Sequence, residues 1–363
     1  MRLLVIGTLA LASLALAACG SGGPVAAPVP ATPSSQAPTV AVASDQATGL
    51  VTPWGLARLA DGTALVSERD TGRIVRVSVD GAVTEFTRLT ETAASGEGGL
   101  MGLAIDPTDT WLYAYVTTAS DNRVVRVPLD NPSAPREPVL SGIPKAETHN
   151  GGRLTFGPDG MLYVATGDIR EDALAQDPTS LAGKILRIDP EGAVPEDNPF
   201  PGSPVWSLGH RNVQGLAFDS EGRLWATEFG EKDADELNLI RAGGNYGWPI
   251  VEGTAPSEGV DLPDGYVDPQ AQWSPTSLAS PSGLAIVDDI AYVASLRGEV
   301  LWQVPLVGDR AAEPVALDLG DLGRLRTIEA MSDGTLWLMT SNTDGRGEPR
   351  PEDDRIVVLR LGA

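Results

Sequence analysis

The sequence predicts an all-β protein, a six-bladed β-propeller, and three observations predict it. First, one hairpin pattern recurs six times. The copies are "GLARLADGTALVSER" from Gly55, "GLAIDPTDTWLYAYV" from Gly102, "RLTFGPDGMLYVATG" from Arg153, "GLAFDSEGRLWATEF" from Gly215, "GLAIVDDIAYVASL" from Gly283 and "TIEAMSDGTLWLMTS" from Thr327. Each is two short apolar runs around a turn rich in acidic residues, which is a hairpin signal. Second, a third apolar run follows each copy: "GRIVRVSV" from Gly72, "NRVVRVPL" from Asn122, "GKILRIDP" from Gly183, "DELNLIRA" from Asp235, "GEVLWQVP" from Gly298 and "DRIVVLRL" from Asp354. Third, the 363 residues include 41 Gly and 29 Pro, which suits many short strands joined by turns. Repeats of three or four strands, stacked so that neighbours bury each other's faces, close into a propeller.

The elements follow in order. Residues 1–18 read as a signal peptide: Arg2 is a minimal positive n-region, and Leu3 to Leu16 is an apolar stretch too short to span a bilayer. The segment ends in Leu16-Ala17-Ala18-Cys19-Gly20, similar to a bacterial lipoprotein signal in which Cys19 is lipidated. Cys19 is the only cysteine, so the chain has no internal disulfide and no multi-thiolate metal site. Residues 19–38, rich in Pro, Ala, Ser and Gly, read as a flexible tether between anchor and domain. The propeller is expected over residues 39–363. Fourth strands are weakly signalled, by "AVTEFTRL" from Ala82 and "EPVALDLG" from Glu313. The last copy runs out of chain, so "TVAVAS" from Thr39 is expected to supply its outer strand and cover a free edge.

In a propeller the loop leading into each first strand and the loop joining strands two and three open on one face. The leading loops carry Glu97 in "SGEGGLMGLA", His149 and Asn150, then His210, Arg211, Asn212 and Gln214 in "LGHRNVQGLA", and Arg324 and Arg326 in "LGRLRTIE". The second loop class adds Arg297 and "EFGEKDADE" from Glu228. The net charge is −23, which excludes nucleic acid as a partner because phosphate binding needs a basic footprint. Four arginines around one mouth of so acidic a protein point to a small polyanionic ligand, since guanidinium pairs bidentately with carboxylate. The acidic run from Gly230 to Glu236 could serve Ca²⁺ through carboxylates and loop carbonyls.

The motifs "HNGGRL", "AGKILRID", "DNPF", "GHRNVQGLAF" and "GGNYGWP", in that order, resemble the soluble PQQ-dependent sugar dehydrogenases. The resemblance is to the bacterial aldose sugar dehydrogenases of the glucose/sorbosone dehydrogenase family, and it covers roughly residues 45 to 363. It implies the same six-bladed propeller, pyrroloquinoline quinone (PQQ) and Ca²⁺ as cofactors, and oxidation of an aldose at C1 to a lactone. It implies that His149 is the general base, a role that suits an imidazole titrating near ~6.5. Arg211 and Asn212 match residues contacting PQQ and the reacting carbonyl. Arg297, and the pair Arg324 and Arg326, match positions that hold PQQ carboxylates. Gly230 and Glu231 match the segment whose carbonyls bind Ca²⁺, and Glu236 and Tyr246 match a second Ca²⁺ site.

The chain departs from the family pattern at Glu97, where Gln is usual, and at Val213 in "HRNV". A carboxylate at position 97 could repel PQQ, be protonated or bind metal. The long insertions of the glucose dehydrogenases proper are absent, which implies an open mouth and broad aldose specificity. The expected partners are an aldose, an external electron acceptor (quinone or cytochrome) and, through the lipid anchor, a membrane of the cell envelope. A Ca²⁺-dependent lactonase and a non-enzymatic ligand-binding propeller are the competing readings.

Overall fold

The computed structural model describes residues 38–362, so the signal segment, most of the tether and Cys19 lie outside the described residues. Six antiparallel sheets follow one another along the chain. Blade one comprises Pro53–Arg58, Ala64–Glu68, Arg73–Val77 and Val83–Arg88. Blade two comprises Leu100–Ile105, Trp111–Thr117, Asn122–Pro128 and Glu137–Ile143. Blade three is Leu154–Phe156, Leu162–Ala165, Lys184–Ile188 and Val205–Leu208; blade four is Val213–Phe218, Leu224–Glu228, Asp235–Ile240 and Ala271–Trp273. In blade five, Pro281–Val287, Ile290–Ser295 and Leu301–Val307 are joined by Val315–Leu317, with a short hairpin at Arg310–Ala311. Blade six takes Leu325–Ala330, Thr335–Thr340 and Ile356–Leu361 from the C-terminal end and its outer strand, Val40–Ala47, from the other end. That pairing runs from Val40 opposite Leu361 to Ala47 opposite Ile356, as the sequence predicts.

The strands are apolar on both faces because blades stack face to face. Second and third strands such as Ala64–Glu68 and Lys184–Ile188 are buried throughout. Six hydrophobic clusters result, one for each blade interface. Ala64, Val66 and Val75 of blade one meet Trp337, Met339 and Ile356 of blade six, for example.

The recurrent glycine opening "GLA" has a steric cause. A Cβ on Gly55 would sit 2.5 Å from the Met101 carbonyl, and one on Gly283 would sit 2.6 Å from Thr327 Cα. Gly102 abuts the Gly152 carbonyl and Gly215 the Ser282 carbonyl in the same way. Adjacent first strands therefore approach backbone to backbone around the axis. The two copies without this glycine place Arg153 and Thr327 there. Arg153 Nη2 donates to Thr327 Oγ1 at 3.1 Å and its Nε to the Gln214 carbonyl at 2.7 Å, so these side chains reach across the axis and close the channel. The mouth above is thus a cavity with a floor.

Candidate active site

The cavity at this mouth is walled by Trp54, Arg69, Glu97, Gln214, Phe229, Leu296, Arg324, Arg326, Asp344 and Arg346. Arg324 and Arg326 project into it from the start of the inner strand of blade six and are buried. Asp344 Oδ2 lies 3.0 Å from Arg324 Nη2 and 3.3 Å from Arg326 Nη2 and holds the two guanidinium groups side by side. Burial raises the Asp344 carboxyl, but Arg326 and Arg324 outweigh that and keep it below the usual carboxylate range. Burial pushes Arg326 down to about 10, still charged at neutral pH. Arg326 also donates to Gln214 Oε1 at 3.0 Å and lies 5.7 Å from the centre of the Trp54 ring. The site is thus preformed for anions by groups that are already oriented.

Glu97 lines the same cavity. Its Oε2 accepts from the His149 backbone N–H at 2.9 Å, and its Oε1 pairs with Arg346 at 2.7 Å. The departure seen in the sequence therefore has a partner: the carboxylate is balanced by Arg346.

His149 sits on the leading loop of blade three with φ at +57°, a left-handed conformation that costs a non-glycine residue about 1 kcal/mol or more. The Glu97 contact helps to hold it. The side chain is 7 % exposed, and Nδ1 is 2.6 Å from Asp168 Oδ1. Asp168 also accepts from the Trp248 indole at 2.8 Å and from the Arg170 backbone at 2.9 Å. Burial raises the Asp168 carboxyl; the His149, Arg170 and Trp248 bonds overcome that and hold it low. An ionised carboxylate only accepts, so Nδ1 carries the proton and Nε2 is left as an acceptor. The second histidine has a different fate: His210 is fully buried between Ser207 and Glu228 and stacks on Tyr246.

Arg211 and Asn212 lie beside this dyad. The Arg211 carbonyl accepts from Asp168 N at 2.8 Å, and its guanidinium donates to the Gly230 carbonyl at 2.6 Å over the Trp248 ring. Asn212 Oδ1 accepts from Gly151 N at 3.0 Å, while its Nδ2, like Arg211 Nε, is buried with no partner. Orphaned donors of this kind call for a ligand acceptor.

A smaller recess adjoins the first through Phe229 and gathers Arg211, Gly230, Glu236, Tyr246 and Trp248 with Glu228 and Glu252. Glu228 and Glu236 face each other across neighbouring strands. Burial and the Glu228 charge push Glu236 up to about 8. Beside it, Asn238 Oδ1 is buried without a donor. A cation suits this surplus of acceptors. Among the described residues no three His, Cys, Asp or Glu side chains stand at metal-ligating spacing, so backbone carbonyls must complete any coordination. Glu231 turns outward to Lys232, while the backbone N–H groups of residues 231–234 all point to Glu252 Oε1.

The structure thus brings Glu97, His149, Arg211, Asn212, Arg324 and Arg326 to one mouth, with Gly230, Glu236 and Tyr246 alongside. The Arg297 side chain is exposed and does not line the cavity, although the preceding Leu296 does. Sequence reasoning missed Arg69, Asp168, Asp344 and Arg346. All four belong to loops joining second and third strands, the class already expected to open on this face.

The propeller thus presents a floored, arginine-walled cavity with a histidine–carboxylate dyad at its mouth. The sequence model of the Glucose / Sorbosone dehydrogenase family matches residues 50–355, and the chain belongs to that family. The PQQ-bound aldose sugar dehydrogenase of Streptomyces coelicolor is 50% identical with a TM-score of 0.83, over 89% of this chain and 98% of that one. Aldose sugar dehydrogenase YliI of Escherichia coli is 27% identical over 81% of this chain and 88% of its own length. Quinoprotein glucose dehydrogenase B of Acinetobacter calcoaceticus is 35% identical over 55% of this chain and 50% of its own.

Proposed function

We propose that this protein is a PQQ- and Ca²⁺-dependent aldose dehydrogenase that oxidises sugars at C1 to lactones. The observation that carries the reading is the convergence of Arg324, Arg326 and the unpartnered Asn212 Nδ2 with the His149–Asp168 dyad at one mouth. Arg211, Asn212, Arg324 and Arg326 would hold PQQ, with Glu97 on the wall and the exposed Arg297 outside it. The Gly230 and Glu231 carbonyls would hold one Ca²⁺, and Glu236 and Tyr246, aided by Glu228 and Glu252, a second. When bound, PQQ supplies the two-electron acceptor, and Ca²⁺ supplies positive charge beside it.

The chain's own work is binding and proton transfer. Arg324 and Arg326 anchor carboxylates in a buried wall, where charge-assisted bonds are strong. His149 Nε2 accepts the proton of the anomeric hydroxyl as the C1 hydrogen departs. The low-lying Asp168 carboxylate stabilises the imidazolium that forms and fixes the ring's tautomer. Arg153 and Thr327 close the channel and confine the ligands to one face. Among the described residues no three His, Cys, Asp or Glu side chains stand at metal-ligating spacing, and Arg324 and Arg326 occupy the mouth, which favours the dehydrogenase over a lactonase. By the lipoprotein reading of Cys19, the protein would be exported and anchored in the cell envelope, passing electrons to a quinone or cytochrome.

The test is dye reduction by the purified protein with PQQ and Ca²⁺, offered glucose, galactose, xylose and maltose, beside His149→Ala. PQQ-dependent reduction that falls about 1,000-fold in the variant is expected. A protein that binds no PQQ would refute the reading.

A further inference from the structure

We propose that Arg346 is a positioning residue of the anion cavity that acts through Glu97, the two forming a matched pair without which a carboxylate could not line that wall. The inference rests on the reading of this cavity as a PQQ site. Glu97 is committed on both oxygens: Oε2 to the His149 N–H at 2.9 Å and Oε1 to Arg346 Nη2 at 2.7 Å. Its own N–H donates to the Glu147 carbonyl at 2.7 Å, so backbone and side chain together clamp the loop that presents His149. Both contacts need an acceptor. An amide at this position would satisfy one and turn its NH₂ toward a donor at the other. Arg346 lies 249 positions away on a loop of blade six, and its side chain is 61 % exposed against 22 % for Glu97.

The link continues inward. Arg346 N donates to Asp344 Oδ1 at 2.9 Å, and Asp344 Oδ2 holds Arg324 and Arg326. One run of contacts therefore joins the backbone of His149 to the arginine pair across the cavity. Removing Arg346 alone leaves an uncompensated carboxylate facing an anion, and like charges at close range repel strongly in a partly buried wall.

The experiment is PQQ titration by fluorescence quenching on the full chain and four variants, Arg346→Ala, Glu97→Gln, the double variant and Arg346→Lys, read as Kd. Arg346→Ala is expected to weaken binding about tenfold through the lost charge balance. In a Glu97→Gln background the same change is expected to cost less than about twofold, because the repelling charge has gone. Arg346→Lys is expected to retain affinity within about threefold. A tenfold loss that persists in the Glu97→Gln background would show Arg346 touching the ligand itself and would overturn the proposal, as would unchanged affinity in the single variant. A wild-type protein that takes up no PQQ would overturn the proposed function and this inference with it.

Discussion

At the scale of single residues, the site depends on carboxylates as much as on the cations that first draw attention. Asp168 orients His149, Asp344 orients two arginines, and Glu97 holds the base's backbone. Asp168→Asn removes the charge that stabilises the imidazolium and lets the amide present a donor to Nδ1. We expect kcat to fall about 100-fold while KM and PQQ affinity change little, measured by steady-state kinetics and titration. The sign with pH follows from the carboxyl being held low. The ionised form, and the stability it contributes, is present above the unfolded value near ~3.9 and is lost only as pH falls through the lower folded value. The variant's loss of stability should therefore be constant at every pH above about 5. A stability loss that faded between pH 5 and neutrality would show that Asp168 is not held ionised over that range. Arg211, Arg324 and Arg326 were legible in the sequence because an arginine in a strand-leading loop is conspicuous in a chain of net charge −23, and Glu97 because it departs from the family pattern. Asp168 and Asp344 were not, because one Asp among 49 acidic residues carries no signal until the loop that bears it is placed, and Arg69 and Arg346 lie on loops of the same class.

At the scale of elements, first, second and third strands were legible because each is a compact apolar run beside a turn. Outer strands were less so. Val83–Arg88 is largely exposed and carries Thr84, Glu85, Thr87 and Arg88, and Val315–Leu317 is three residues long with Val315 and Ala316 exposed, so neither leaves a clear pattern. Loops were the least legible, and the one from Thr166 to Gly183 shows why. Its order comes from a buried lysine outside it. Lys184 Nζ donates to the carbonyls of Leu174, Ala175 and Ala182 at 2.7, 3.0 and 2.7 Å, gathering a loop that carries Asp168 at its start. Nothing in a lone Lys ahead of an apolar strand announces three carbonyl partners. Lys184→Met would fill much of the space yet leave those carbonyls without a donor. A loss of about 3 kcal/mol, read from the urea midpoint, is expected. Activity should fall with it through displacement of Asp168. A Met variant as stable as the wild type would mean that the loop is ordered by its other contacts.

At the scale of the whole molecule, the ring has to close, and closure joins the two ends of the propeller. Val40–Ala47 pairs with Ile356–Leu361 along its length, and the first strands abut around the axis at Gly55, Gly102, Gly215 and Gly283. Both devices are cooperative. Each interblade core is built by two blades, and the core between blades six and one includes Ala47 and Leu50 from the N-terminal side. Removing residues 1–37 leaves both partners of each of these contacts in the chain and serves as the reference for a longer cut. Removing ten residues more strips the outer strand from blade six, exposes the Ile356–Leu361 edge and opens the seam beside Trp337 and Val358. We expect Tm to fall by about 10 °C or more and the protein to self-associate through the bared edge, measured by calorimetry and light scattering. Because Arg324, Arg326, Asp344 and Arg346 all ride on blade six, PQQ affinity should fall in the same truncation even where the fold survives. An unchanged Tm after loss of residues 38–47 would show that the ring is held by its blade interfaces and inner strands, with the terminal strand only covering an edge.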